Sequence, residues 1–206
     1  SFEWRHKILA AIRALEGGII FSGIVEADEL LMKYSEKGRK FKNKEEYQKA
    51  KKKKHPKVAV LVVTDREGNL LFKQVGEKKV KNEQLREELK CRLSENNLIC
   101  LKPKKEFRKG VKGLQSKKVI VNKRQIKRGI YSVKIVENKI SDFKTWLSRF
   151  HGVATKYLQS YLMWFVIMNK YLKELIDSDI GRLLNLSSHD RWAWDKYREI
   201  VSQRYE

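Results

Sequence analysis

The sequence predicts an α/β fold: a mixed sheet with helices on its faces, a basic insertion and a C-terminal helical extension. Three observations predict it. Short apolar runs at 58–63, 70–75, 98–101 and 119–121 have the length of strands. Stretches at 3–16 and 136–150 repeat their apolar residues at three- and four-residue steps, as amphipathic helices do. Strands and helices are interspersed along 206 residues that are 41% hydrophobic and 10% aromatic, enough to bury one substantial core.

Residues 3–16 (EWRHKILAAIRALE) form a helix by propensity, with Trp4, Ile8, Leu9, Ile12 and Leu15 as its apolar stripe; Gly17 and Gly18 end it. Residues 23–33 read as a strand in which Ile24, Val25, Ala27 and Leu30 are interrupted by Glu26, Asp28 and Glu29. Period two puts Glu26 and Asp28 on one face and Glu29 on the other. Carboxylates in mid-strand are costly to bury unless they bind a cation, so this strand is either a solvent-facing acidic edge or a cation site.

Residues 37–57 (KGRKFKNKEEYQKAKKKKHPK) are a lysine-rich insertion. A short helix could form over 45–54, but the like charges and Pro56 favour a mobile loop, either a solvated linker or a phosphate-contacting arm. Strands at 57–63 and 70–75 make a hairpin across a turn in which Asp65 is a turn former. A helix over 82–96 follows, with Asn82 as candidate N-cap. The run at 98–101 fits a buried central strand, 119–121 a further strand, and 122–134 a basic turn.

The longest helical signal is VENKISDFKTWLSRFHGVATKYLQSYLMW at 136–164. Ile140, Phe143, Trp146, Leu147 and Phe150 line one face, while Glu137, Ser141 and Lys144 gather on a second, two turns long. Gly152 is a candidate C-cap. A second helix from about Thr155 is apolar almost all round, so it is expected to be buried. Lys156, Gln159 and Lys170 interrupt it too soon for a membrane span. The pattern DRWAWDKYREIV predicts a last helix, whose Trp192 and Trp194 either pack on the core or serve assembly.

A net charge of +22, from 47 Lys and Arg against 25 Asp and Glu, points to a polyanion, and nucleic acid is the obvious one. A lysine coat kept for solubility is the alternative. Cys91 and Cys100 are too few for a disulfide framework or a four-ligand zinc site, which suits a reducing cytosol. No signal peptide or membrane partner is expected. The chain opens without Met, as a fragment would.

FKTWLSRFHGVATKYLQSYLMW at 143–164, together with FSGIVEADELLMKYSEKGRK at 21–40 and VAVLVVTDREGNLL at 58–71, resembles bacterial insertion-sequence transposases related to the eukaryotic Merlin elements. The likeness spans roughly residues 4–171. It implies an N-terminal helix at 1–20, an RNase H-like domain at 21–172 carrying the insertion at 37–57, and an extension at 173–206. Relatives usually carry a zinc-ribbon or helical DNA-binding segment upstream. The family's metal site is an Asp, an Asp and a Glu or Asn, which hold two divalent ions about 3.5–4 Å apart. The resemblance carries the first ligand to Asp28 and the third to Glu137, and it matches Lys144 to a helix lysine that contacts target phosphate. The second ligand belongs at the end of the central strand. There ICLKPKKEF places Lys102, followed by Pro103. This reverses the charge where a bridging carboxylate is expected: the ammonium would repel Mg²⁺ and could itself neutralise Asp28 and Glu137.

The resulting expectation is a DNA-binding protein of transposase descent with an impaired metal site and no cofactor. Its partner is the phosphate backbone of duplex DNA, contacted by Lys51, Lys52, Lys53, Lys54, Lys104, Lys105, Arg108, Lys109, Lys144 and Arg149, in a homodimer or larger nucleoprotein complex. The expected location is the cytoplasm at the nucleoid, or the nucleus in a eukaryote. Two contrasting readings stand beside it. One is an active transposase in which Glu26, Glu29 or Glu106 replaces the missing Asp, with Mg²⁺ or Mn²⁺ on Asp28 and Glu137. The other is an assembly subunit working through Trp192 and Trp194.

Overall fold

The computed structural model describes residues 2–13, 18–121, 127–171 and 191–202. Its main sheet comprises β1 (Ile24–Met32), β2 (Val58–Asp65), β3 (Leu70–Glu77), β4 (Leu98–Leu101) and β5 (Lys117–Ile120), in the spatial order β3-β2-β1-β4-β5. β2 is antiparallel to β1 and to β3, whereas β4 is parallel to β1 and to β5. This is the RNase H-like mixed sheet. The sequence of β2 explains its place inside the sheet: its alternating side chains are apolar on both faces. Val58, Val60 and Val62 enter one core, and Ala59, Leu61 and Val63 the other. β5 ends the sheet and exposes Lys117 and Lys118, charges that discourage pairing with another chain.

Helices α1 (Phe2–Arg13), α5 (Lys134–Ser148) and α6 (Thr155–Tyr171) cover one face, and α3 (Asn82–Lys90) and α4 (Lys105–Gly110) the other. α7 (Arg191–Ser202) packs on α1. The stripe read from the sequence seats α5. Phe143 is fully buried, its ring centroid 5.1 Å from Phe72 and 5.3 Å from Phe165, and Trp146 meets Trp164 edge-on at 5.2 Å. α6 is buried on most sides, as its composition predicts. The side chains of Trp192 and Trp194 lie outside the described residues. Among the described residues no helix is long and apolar enough to cross a membrane.

Five local expectations are corrected. The insertion is not a plain loop: α2 (Lys44–Lys52) forms within it. Asn43 caps α2 by accepting the Glu46 N–H at 2.8 Å. Glu45 and Glu46 sit in the first turn and Lys49, Lys51 and Lys52 in the last, so the charges run with the helix dipole. Asn82 lies inside α3 rather than capping it. The cap position is Lys81, whose N–H donates to Gln84 Oε1 at 3.1 Å. α3 also stops at Lys90, well before residue 96. Asn97 Oδ1 takes the Ser94 N–H at 2.6 Å, and Asn97 Nδ2 donates to the Phe21 carbonyl at 3.1 Å, which folds the segment into a turn. The stretch expected as a basic turn holds a small hairpin, β6 (Lys127–Arg128) and β7 (Tyr131–Ser132). Finally, Arg149 is the C-cap of α5, and Gly152 (φ 95°) lies beyond it. Lys37 Nζ finishes this end, donating to the carbonyls of Phe150 (3.2 Å), His151 (2.8 Å) and Gly152 (3.0 Å).

Candidate functional site

β1 runs on past its neighbour. Pairing between β1 and β4 ends at Ala27 opposite Leu101, so the chain leaving β4 comes to lie beside Asp28 and Glu29. Lys102 Nζ is 2.5 Å from Asp28 Oδ2 and 2.7 Å from Glu137 Oε1. Lys104 Nζ is 3.0 Å from Asp28 Oδ1 and 2.8 Å from Glu29 Oε1. Asp28 Oδ1 also accepts the Glu29 N–H at 2.8 Å, and Glu29 Oε2 the Val80 N–H at 3.1 Å. Three carboxylates and two ammoniums thus form one continuous chain of ion pairs. The Asp28 side chain is only 5% exposed, against 29% for Lys102 and 35% for Glu137. Burial alone would lower the pKa of Lys102. Its bonds to Asp28 and Glu137 outweigh that and hold the ammonium above the ordinary lysine range.

Glu26, on the same face as Asp28, sets where α5 begins. It is fully buried, and its carboxylate accepts Ser132 Oγ at 2.7 Å, Ile135 N at 2.8 Å and Val136 N at 3.1 Å. A buried anion is tolerated there because the first N–H groups of a helix have no partner within it and carry partial positive charge. Glu137 follows Val136 directly, which brings its carboxylate over Asp28 and Lys102. Glu26 was a candidate replacement metal ligand; its partners here are the first N–H groups of α5 and the Ser132 hydroxyl. Glu106 lies on α4 and pairs with Lys79 Nζ at 2.5 Å, and Glu29 is held by Lys104 and Val80. Asp65 closes the β2–β3 turn by accepting the N–H groups of Ser22 (3.1 Å), Glu67 (3.0 Å) and Asn69 (2.9 Å).

A pair of divalent ions needs several carboxylates converging on open coordination positions. Here the two acids the resemblance assigns to metal share one ammonium between them, so this donor set does not fit such a pair. Among the described residues no three His, Cys, Asp or Glu side chains are grouped so as to hold a metal ion.

The remaining basic residues fall in separate places. Lys51, Lys52, Lys53 and Lys54 are exposed at the end of α2 and beyond it; Lys105, Arg108 and Lys109 are exposed on α4, directly after the Lys102 segment. Lys144 and Arg149 are exposed on and just after α5. Lys144 stands two turns, roughly 10 Å, beyond Glu137. Lys104, expected among the phosphate contacts, pairs with Asp28 and Glu29.

Three solved structures are similar at low identity. A simian T-cell lymphotropic virus intasome in complex with the PP2A regulatory subunit B56 gamma aligns with a TM-score of 0.46 and 12% identity over 84% of this chain and 57% of that one. A pre-cleavage Mos1 transpososome gives 0.36 and 10% over 100% and 65%, and the Mos1 strand transfer complex 0.34 and 14% over 100% and 64%. The chain therefore spans between 57% and 65% of the length of these proteins. Comparison with the curated proteins finds no match. The family model of the ISXO2-like transposase domain matches residues 20–167, from the approach to β1 into α6 and so across the whole sheet and the Lys102 cluster, and the chain belongs to that family.

Proposed function

We propose that this transposase-family domain binds duplex DNA through its basic surface and does not carry out metal-dependent strand cleavage or joining. The observation that carries the reading is the Lys102 ammonium between Asp28 and Glu137, at 2.5 and 2.7 Å. Two unbalanced carboxylates beside the DNA path would repel the backbone. Lys102 and Lys104 neutralise them from within the chain. An ammonium can do that much of a metal's work, but it has no open position on which to activate water or a 3′-hydroxyl.

The basic groups on α2, on α4 and at the end of α5 supply the phosphate contacts, and a net charge of +22 favours association with any polyanion. The active-enzyme reading needs Glu26, Glu29 or Glu106 to serve as the missing ligand. Each is held by other donors: α5 and Ser132 for Glu26, Lys104 and Val80 for Glu29, Lys79 for Glu106. The test is duplex binding measured by fluorescence anisotropy across a salt series, beside a plasmid-nicking assay with Mg²⁺ and with Mn²⁺. The expected result is affinity whose logarithm falls linearly with log salt, by about 0.9 per phosphate contacted, and plasmid that stays supercoiled. Salt-insensitive binding, or nicking by the unaltered protein, would refute the proposal.

A further inference from the structure

At the end of α5 remote from Glu137, a cavity of about 250 Å³ opens between Arg5, His6, Lys37, Phe150, Tyr157 and Tyr161. The stretch that carries the family resemblance builds most of it, and the Lys102 site makes no use of it. Its walls are rings. His6 lies 4.0 Å from Tyr157, centroid to centroid, and Phe150 meets Tyr161 edge-on at 4.9 Å. His6, Tyr157 and Tyr161 are each buried and form its floor, whereas Phe150 is only half-buried and keeps part of its ring open to the cavity. Burial, with Arg5 and Lys156 nearby, pushes the His6 pKa down to about 4, so at neutral pH its ring is uncharged, with one N–H donor and one acceptor.

Charge is confined to the mouth and has one sign. Arg5 is exposed there, and Lys37 lays its ammonium across the carbonyls of Phe150, His151 and Gly152. No described residue lining the cavity carries a carboxylate. An aromatic interior under a cationic rim suits a flat ring that carries negative charge at one end. The volume lies below the roughly 300–1,000 Å³ of drug-sized pockets, so the occupant is one ring system rather than a base pair. Along α5 the cavity stands roughly 20 Å from Glu137, thirteen residues at 1.5 Å each, within reach of the same bound strand.

We propose that this cavity takes a single unpaired nucleobase, stacked on Phe150 over a floor made by His6, Tyr157 and Tyr161, with its phosphate held at the mouth by Arg5. The inference rests on the DNA-binding reading and extends it: the preferred ligand is a duplex ending in an unpaired nucleotide. Any base has a face to stack, so the preference is for the unpaired state and not for sequence.

A base and its phosphate could also come from a free nucleotide, and the experiment separates the two sources. One arm titrates dAMP against the protein alone. The other compares a blunt duplex, a duplex with 2-aminopurine as its unpaired terminal base, and the same overhang ending in an abasic residue. The expected result is 2-aminopurine quenching and at least about fivefold tighter binding of the overhang than of the other two, the low end for one stacked base. Val153→Trp fills the cavity from the α5–α6 loop and Arg5→Gln removes the charge at its mouth. Each should abolish the gain while blunt-duplex affinity stays within about twofold. If Val153→Trp fails to fold, Arg5→Gln alters an exposed side chain and keeps the test. Binding of dAMP without any overhang gain would reassign the cavity to free nucleotides and overturn the strand-end assignment. Equal affinity for all three duplexes with no dAMP binding would overturn the inference altogether. Failure of the DNA-binding reading looks different: the blunt duplex is not bound at any salt, and the dAMP arm still reports on the cavity.

Discussion

Replacing Lys102 with Met keeps most of the aliphatic stem and removes only the ammonium, so it isolates the ion pairs. Asp28 retains Lys104 at 3.0 Å and the Glu29 N–H at 2.8 Å. Glu137, whose side chain is 35% exposed, falls back on water. Removing one partner of a fully buried pair costs about 3–5 kcal/mol, whereas an exposed pair contributes about 0–1 kcal/mol. With Asp28 at 5% exposure and Lys102 at 29% the site lies between these limits, and the surviving Lys104 pair lowers the figure to about 2 kcal/mol. For a chain of 206 residues, at about 2–4 °C per kcal/mol, the melting temperature should fall by about 4–8 °C. The sign with pH follows from the raised pKa of Lys102. Its stabilisation is complete below the ordinary lysine value of 10.5 and is lost as pH rises through the higher folded value, so the gap between native protein and variant should close only at strongly alkaline pH. Thermal melts at pH 7 with urea titration as a check measure the loss. An unchanged or higher melting temperature in Lys102→Met would show that the ammonium does not balance the two acids.

Substituting Lys51, Lys52, Lys53 and Lys54 together by Ala should flatten the salt slope of duplex binding by up to about 3–4, at 0.9 per contact, and an unaltered slope would remove these residues from the interface. Glu26→Gln leaves the N–H groups of Ile135 and Val136 and the Ser132 hydroxyl with a neutral partner that can accept through only one end. Loss of a charged hydrogen-bonded partner there should cost about 1.5–3 kcal/mol in the same melts. His6, with a folded pKa of about 4 against 6.5, remains neutral in the fold while the unfolded chain takes up a proton. Stability should therefore fall as pH drops from 6.5 towards 4, and His6→Phe should flatten that limb in melts run at pH 7 and pH 4.5.

Much of the site was legible because strand period and strand ends are local properties. Alternation alone placed Glu26 and Asp28 together and Glu29 opposite, and the end of the apolar run ICL put Lys102 beside Asp28 once β4 was paired with β1. The turn role of Asp65 was equally local. The ion pairs of Lys104 went unread because they depend on β4 stopping one residue short of Asp28 and on the path through Pro103, which sequence spacing does not encode. Glu26 was read as a spare ligand because its true partners, Ser132 and the first N–H groups of α5, lie more than a hundred residues away. In the insertion, the repeated lysines outweighed Asn43 and the two acids after it, although cap and dipole are what make α2 a helix.

Calorimetric titration of Mn²⁺ into the unaltered protein and into Lys102→Asp decides whether the ammonium has taken the place of a metal. No saturable heat is expected from the unaltered protein, in which the ammonium stands between Asp28 and Glu137, and saturable binding is expected once an Asp stands at position 102. Saturable Mn²⁺ binding by the unaltered protein, accompanied by nicking of supercoiled plasmid, would contradict it: another acid would then complete the site, and the chain would be an active transposase.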